Sequence, residues 1–160
     1  MDKEDQVKAA ETAIRQGYAH RLPMLIVKNV VDAFGEKAWE PIEKAAREFA
    51  AYRAPLMQFL IEDPENAREL GNVFDFEDNL AGIQGEWEVH GPKDAVKRES
   101  SCPHSELFKT SPDHCGRLLY EVAAETLRQI NPKAELTPFN KGKCMAYGDD
   151  CCEVHIQVND

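Results

Sequence analysis

Cysteine does not occur before Cys102 in this 160-residue chain, and all five cysteines fall in the C-terminal part. An odd, one-sided set does not suit a secreted disulfide framework, which usually spreads an even number over the chain. A long apolar run is also missing. The strongest stretch, Leu22 to Val31, contains Lys28 and Asn29 and is far too short to cross a bilayer. The opening MDKEDQVKAAE has no apolar segment behind a basic end, so no secretory signal and a cytoplasmic location are expected. Basic charge is scarce: 19 Lys and Arg stand against 29 Asp and Glu, a formal net charge of −10. That balance disfavours nucleic acid and anionic membrane surfaces as partners, because both need clustered Lys and Arg. Its main effect is solubility. No Gly-rich phosphate loop, G-x-S-x-G elbow, C-x-x-C pair, internal repeat or Ser/Gly-rich linker occurs.

What is present is a chain of one-domain length, able to bury roughly two-thirds of its unfolded surface without a staple. Its two halves differ in texture. Residues 1–82 read as helical. Val7, Ala10, Ile14 and Tyr18 make one apolar stripe, and Leu25, Ile26, Val30, Val31 and Phe34 follow in a helix opened by Pro23 and stopped at Gly35. A third helix carries Ala38, Trp39, Ile42, Ala45, Ala46 and Phe49, with Pro55 ending or kinking it. Asp63-Pro64 reads as the start of a fourth, bearing Ala67, Leu70, Val73 and Phe74.

Residues 83–160 read as strands around one helix. Glu86 to His90 alternates like a half-buried strand, Gly91-Pro92 turns, and Ala95 to Ser100 returns. Ser111-Pro112-Asp113 opens a long helix that Asn131-Pro132 closes. Three strands are expected after it: 135–140, 143–147 and 151–158. Gly148, Asp149 and Asp150 form a hairpin turn between the last two. The whole is a single α+β domain, a helical N-terminal half packed on an antiparallel sheet crossed by one long helix.

Strand parity sorts the cysteines. Cys152, Val154, Ile156 and Val158 share the apolar face of the last strand, while Cys151, Glu153, His155 and Gln157 share the polar one. Cys115 lies on the apolar stripe of the long helix, and Cys102 precedes Pro103 in an extended segment, so three thiols from three elements converge. They are open to three readings. As small buried hydrophobes they need no function. As a nucleophile, Cys115 sits in the first turn of a helix, where free N–H groups favour a thiolate, with His114 beside it; Cys102 and His104 form a second such pair. As a metal site, Cys102, His104, Cys115 and Cys152 supply the four ligands that zinc takes.

The order of these features resembles a known family. A Trp-bearing strand, Cys102-Pro103, a helix with Cys115 near its start, Ile130-Asn131-Pro132, and Gly148-Asp149-x-x-Cys152-x-Val154 are similar to the L-2-amino-thiazoline-4-carboxylic acid hydrolase family. The terminal Gly-Asp-x-x-Cys pattern also resembles the related vinyl-4-reductase ligand-binding domains. The hydrolase resemblance implies opening of a cyclic amidine by water, with no cofactor required. It marks Cys102, Cys115 and Cys152 as the matching positions. On chemical grounds a thiolate of Cys115 or Cys102 would attack the amidine carbon while His104 or His114 moves protons. The vinyl-4-reductase resemblance implies instead a non-catalytic domain that holds a hydrophobic ligand, zinc or an iron–sulfur cluster. A third reading is a helical interaction module that pairs with a second copy of itself through the amphipathic first-half helices.

Overall fold

The computed structural model describes residues 3–160. Its centre is a four-stranded antiparallel sheet in the order β1-β2-β4-β3, formed by β1 (Gln84–Gly91), β2 (Asp94–Ser101), β3 (Ala134–Leu136) and β4 (Cys152–Val158). Helices cover one face of it: α1 (Lys3–Gln16), α2 (Leu22–Phe34), α3 (Trp39–Met57), the short α4 (Ala67–Leu70), α5 (Asn72–Ala81), one turn of α6 (Ser105–Phe108) and α7 (Tyr120–Ile130). This is the expected α+β arrangement. Among the described residues, no helix is long and apolar enough to cross a membrane.

The main core lies between the sheet and α4, α5 and α7. Leu127 and Ile156 are completely buried there beside Leu70, Phe74, Val154 and Val158. Burying a side chain of that size contributes about 1.5–3 kcal/mol, so these residues anchor α7 across the sheet. A smaller cluster of Met24, Phe108, Cys144 and Ala146, with Cys115 and Cys152 packed on it, joins α2 to the far end of the sheet.

Several local expectations need correction. Asp63-Pro64 forms a turn, because Asn66 adopts the extended capping conformation and its side chain takes the Arg68 and Glu69 N–H groups; the helix therefore begins at Ala67. Residues 143–147 form no strand, and Gly148-Asp149-Asp150 joins no hairpin. One edge of β4 is taken by β2; on the other, β3 pairs with Ile156 to Val158, and the stretch beyond makes only isolated bonds, the Thr137 N–H to the His155 carbonyl at 3.0 Å and the Glu153 N–H to the Lys143 carbonyl at 2.8 Å. The Asp149 carboxylate accepts the Cys144 N–H at 2.8 Å, and Met145–Tyr147 makes one 3₁₀ turn closed by Gly148 at φ 97°. Gly148 and Asp149 thus do shape a turn, but its role is to seat Cys144. The apolar stripe of α1 is not buried: Val7, Ile14 and Tyr18 are exposed. In α2 the buried face is Met24 and Val27, whereas Leu25, Ile26 and Phe34 face solvent.

Gly85 stands at a register shift between β1 and β2. A Cβ there would meet the Arg98 carbonyl oxygen at 2.7 Å and Glu99 Cα at 2.8 Å. Both are backbone atoms, so Gly85→Ala must displace β2. Stability should fall by about 1–3 kcal/mol in urea unfolding; an unchanged midpoint would mean that the strands do not approach so closely.

Candidate functional site

The helices do not close fully on the sheet. Between α1, α5 and α7 on one side and β2, β4 and the Met145–Tyr147 turn on the other lies a mainly apolar cavity of about 460 Å³. Phe74, Leu119, Val122, Ala123, Phe139 and Val154 supply most of the wall. Set into it are four of the five thiols, two histidines and two buried carboxyl groups, Asp78 and Glu99.

The thiols gather around a residue that sequence reasoning left unplaced. Cys144 is buried, and its sulfur accepts from the thiols of both Cys115 and Cys152. Those two donors, helped by the Ala146 and Tyr147 N–H groups, outweigh burial and pull the Cys144 thiol well below the usual thiol range. Cys115 and Cys152 are pushed far up by the same bonds and by burial, so the three titrate as one group. Burial also raises Cys102. The direction at Cys115 is thus the reverse of that expected for a helix-terminus thiolate, and the lowering falls on Cys144 instead. Cys115 itself lies in a π-helical turn, His114–Leu119, ahead of α7. Gly116 in that turn leaves room for Tyr147, whose hydroxyl donates to Asp113 at 2.8 Å. Cys151 is turned the other way beside Asp150, and His155 sits on the polar face between Thr137 and Asp94.

The histidines do not join the thiols. The His104 ring packs 4.0 Å from that of His20, with Phe108 at 6.0 Å, and its Nε2 has no hydrogen-bond partner. His114 is 2% exposed, stacks on Phe108 at 5.2 Å, and leaves Nδ1 unpaired. Burial lowers all three, and the His20–His104 pair adds mutual repulsion on the His20 side. Among the described residues, no imidazole bonds to a thiol, and no group of three or more His, Cys, Asp or Glu is arranged to hold a metal ion. Cys115 and Cys152 are the members of the expected metal set that come together, with Cys144 between them; Cys102 lines the cavity nearby, and His104 belongs to the His20 stack.

His114 carries a pH prediction. Folded, it stays neutral down to about 4; its ordinary value is 6.5. The unfolded chain therefore binds the proton more readily, and stability present above pH 6.5 falls by roughly 3 kcal/mol on acidification to pH 4. His114→Phe keeps the stack and should remove that share of the acid sensitivity in urea unfolding. An identical acid slope in the variant would mean that His114 is not held neutral.

The inner face of β2 is unusual. Ala95, Lys97 and Glu99 alternate into the interior, at 0%, 3% and 8% exposure. Lys97 bridges Asp75 at 2.6 Å and Asp78, while Trp87 and Arg68 also donate to Asp75 at 2.9 and 2.8 Å. Arg53 holds Thr126 and Glu77. Glu99 lines the cavity and makes no side-chain hydrogen bond among the described residues. Burial, with Asp78 near, pushes its carboxyl up to about 8. Parity groups Lys97 and Glu99 with Ala95, two and four residues on, but does not say that theirs is the buried face.

No known protein-family profile matches the chain, and no curated protein sequence does. Solved structures match in fold. The phenol-responsive sensory domain of the transcription activator PoxR, crystallised with phenol, superposes with a TM-score of 0.54 at 10% identity, covering 86% of this chain and 73% of that one. A trafficking protein particle complex subunit 3 from Naegleria fowleri, covalently bound to palmitic acid, gives 0.56 at 13% identity, covering 96% and 97%. At such identities the likeness is one of fold. The chain is an α+β domain similar in architecture to a sensory domain and to a subunit of a trafficking complex.

Proposed function

We propose that this chain is a small-molecule-binding domain, of the kind the vinyl-4-reductase resemblance implies, whose ligand occupies the cavity between sheet and helices. The observation that carries this reading is the cavity itself. Its volume of about 460 Å³ falls within the roughly 300–1,000 Å³ of small-molecule sites, and a few polar groups stand in an apolar wall. Two proteins of similar fold support it: each was captured with a small apolar-bodied molecule, phenol in one and palmitic acid in the other. The thiols of Cys102, Cys115, Cys144 and Cys152 would line the ligand space rather than act as nucleophiles.

Ala123 faces the cavity from α7 and is 6% exposed. Ala123→Phe would place a ring where the ligand lies. Wild-type protein should bind 2-naphthol saturably, as read by ligand fluorescence, and the variant should lose that binding while keeping its circular dichroism. Equal binding by both, with the fold intact, would move the ligand elsewhere.

One observation favours the hydrolase reading, namely the low Cys144 thiol inside the same cavity. That chemistry would run through Cys144 rather than Cys115 or Cys102. Turnover of a cyclic amidine by wild type, lost in Cys144→Ser, would establish it. A metal form of the binding reading has no group of three ligands arranged for it among the described residues. Elemental analysis of anaerobically purified protein decides that form.

A further inference from the structure

Charge accounting along the cavity leaves one group without a counterpart. Arg68 and Lys97 answer Asp75 and Asp78; Arg53 answers Glu77; Arg98 reaches Glu153 at 3.4 Å. Glu99 has none of these. Its neighbours are Asp78 on α5, the Lys97 ammonium already bound to two carboxylates, and the thiols of Cys102, Cys144 and Cys152. None of them offers it a hydrogen bond. The remaining unpaired charge on the wall, Arg15, is exposed and keeps its water. A carboxyl group that is 8% exposed, faces an apolar cavity and lacks a partner is expensive to keep unless something else completes it.

We infer that Glu99 is the polar anchor of the ligand site and that the ligand is an apolar molecule carrying a single amine, seated with its ammonium on Glu99. This rests on the cavity-binding reading and narrows it to a ligand class. With no cation beside it Glu99 keeps its proton up to about 8; a bound ammonium displaces that proton, donates hydrogen bonds to the carboxylate and supplies the positive charge that lets it ionise. A ligand ending in a carboxylate would bring a second negative charge beside Asp78 and would supply no cation for Glu99. A neutral alcohol would gain one ordinary hydrogen bond and no charge complement.

Three probes of similar size separate these cases: 2-phenylethylamine, 2-phenylethanol and phenylacetate, each competed against 2-naphthol on wild type and Glu99→Gln at a pH just above 8, where Glu99 releases its proton. The amine should bind wild type about tenfold or more tighter than the alcohol, as expected for a buried charge-assisted hydrogen bond, with the carboxylate weakest. Glu99→Gln should bring amine and alcohol within about threefold of each other. An amine preference that survives in Glu99→Gln overturns the assignment, as does tightest binding by the carboxylate. If 2-naphthol binds and none of the three competes, the amine class is wrong while the cavity reading stands. If 2-naphthol does not bind either, both fall together.

Discussion

Lys97→Met should lower stability by about 3–5 kcal/mol, among the largest effects expected of any single substitution. Lys97 is 3% exposed and rises from the inner face of β2 to join Asp75 and Asp78 of α5. Methionine fills similar space, so packing changes little. What remains is Asp78, a carboxylate 7% exposed, with its ammonium gone. Removing one member of a buried pair is far more damaging than replacing both, because the survivor keeps its desolvation penalty. The double variant Lys97→Met with Asp78→Leu should therefore recover part of the loss. Urea unfolding at pH 7 reads both variants. A single-variant loss below about 1 kcal/mol would mean that the pair is solvated and that the interior is more polar than described.

Glu99→Gln should act in the opposite direction at alkaline pH. The folded chain holds the Glu99 proton up to about 8, whereas an ordinary glutamate releases it near 4.5. Stability from this group is thus fully present below pH 4.5 and is lost as pH rises to 8, by roughly 3–5 kcal/mol in all. His114 acts only below pH 6.5 and the low Cys144 thiol is common to both proteins, so from 6.5 to 8 the difference between wild type and Glu99→Gln reads Glu99, with a share of roughly 2 kcal/mol. The Glu99→Gln curve should separate upward from wild type across that window and lie above it at pH 8. Parallel curves would show that Glu99 is already ionised and paired at neutral pH.

The α+β class and the strands 84–91 and 94–101 were legible because period-two alternation and a Gly-Pro turn are local signals. The long helix was legible from its breakers, Pro112 at one end and Asn131-Pro132 at the other. The strand expected at 143–147 was misread for a reason outside its composition. Only Lys143 reaches the β4 backbone, its carbonyl accepting the Glu153 N–H, before the Asp149 carboxylate takes the Cys144 N–H and the chain folds into the 3₁₀ turn. The same error hid Cys144: set in a strand it stayed without an assigned role, whereas the turn places it between Cys115 and Cys152. Cys152 was placed correctly by parity. His20 could not be seen as a site residue, since it meets His104 only through the folding of α1 and α2 over the loop before α6. Glu99 was missed for a different reason. Charged residues in a strand are ordinarily read as solvent-facing, and only the burial of Ala95 and Lys97 on the same face reverses that reading.

The central claim, that the cavity is a ligand site, is tested most directly by calorimetric titration of 2-naphthol into the protein at several temperatures. Burial of an apolar ligand between α7 and the sheet predicts one site per chain and a binding enthalpy that grows more negative with temperature, the negative heat-capacity change of apolar burial. Both should vanish in Ala123→Phe. Heats that do not saturate, or that persist unchanged in Ala123→Phe, would contradict the account.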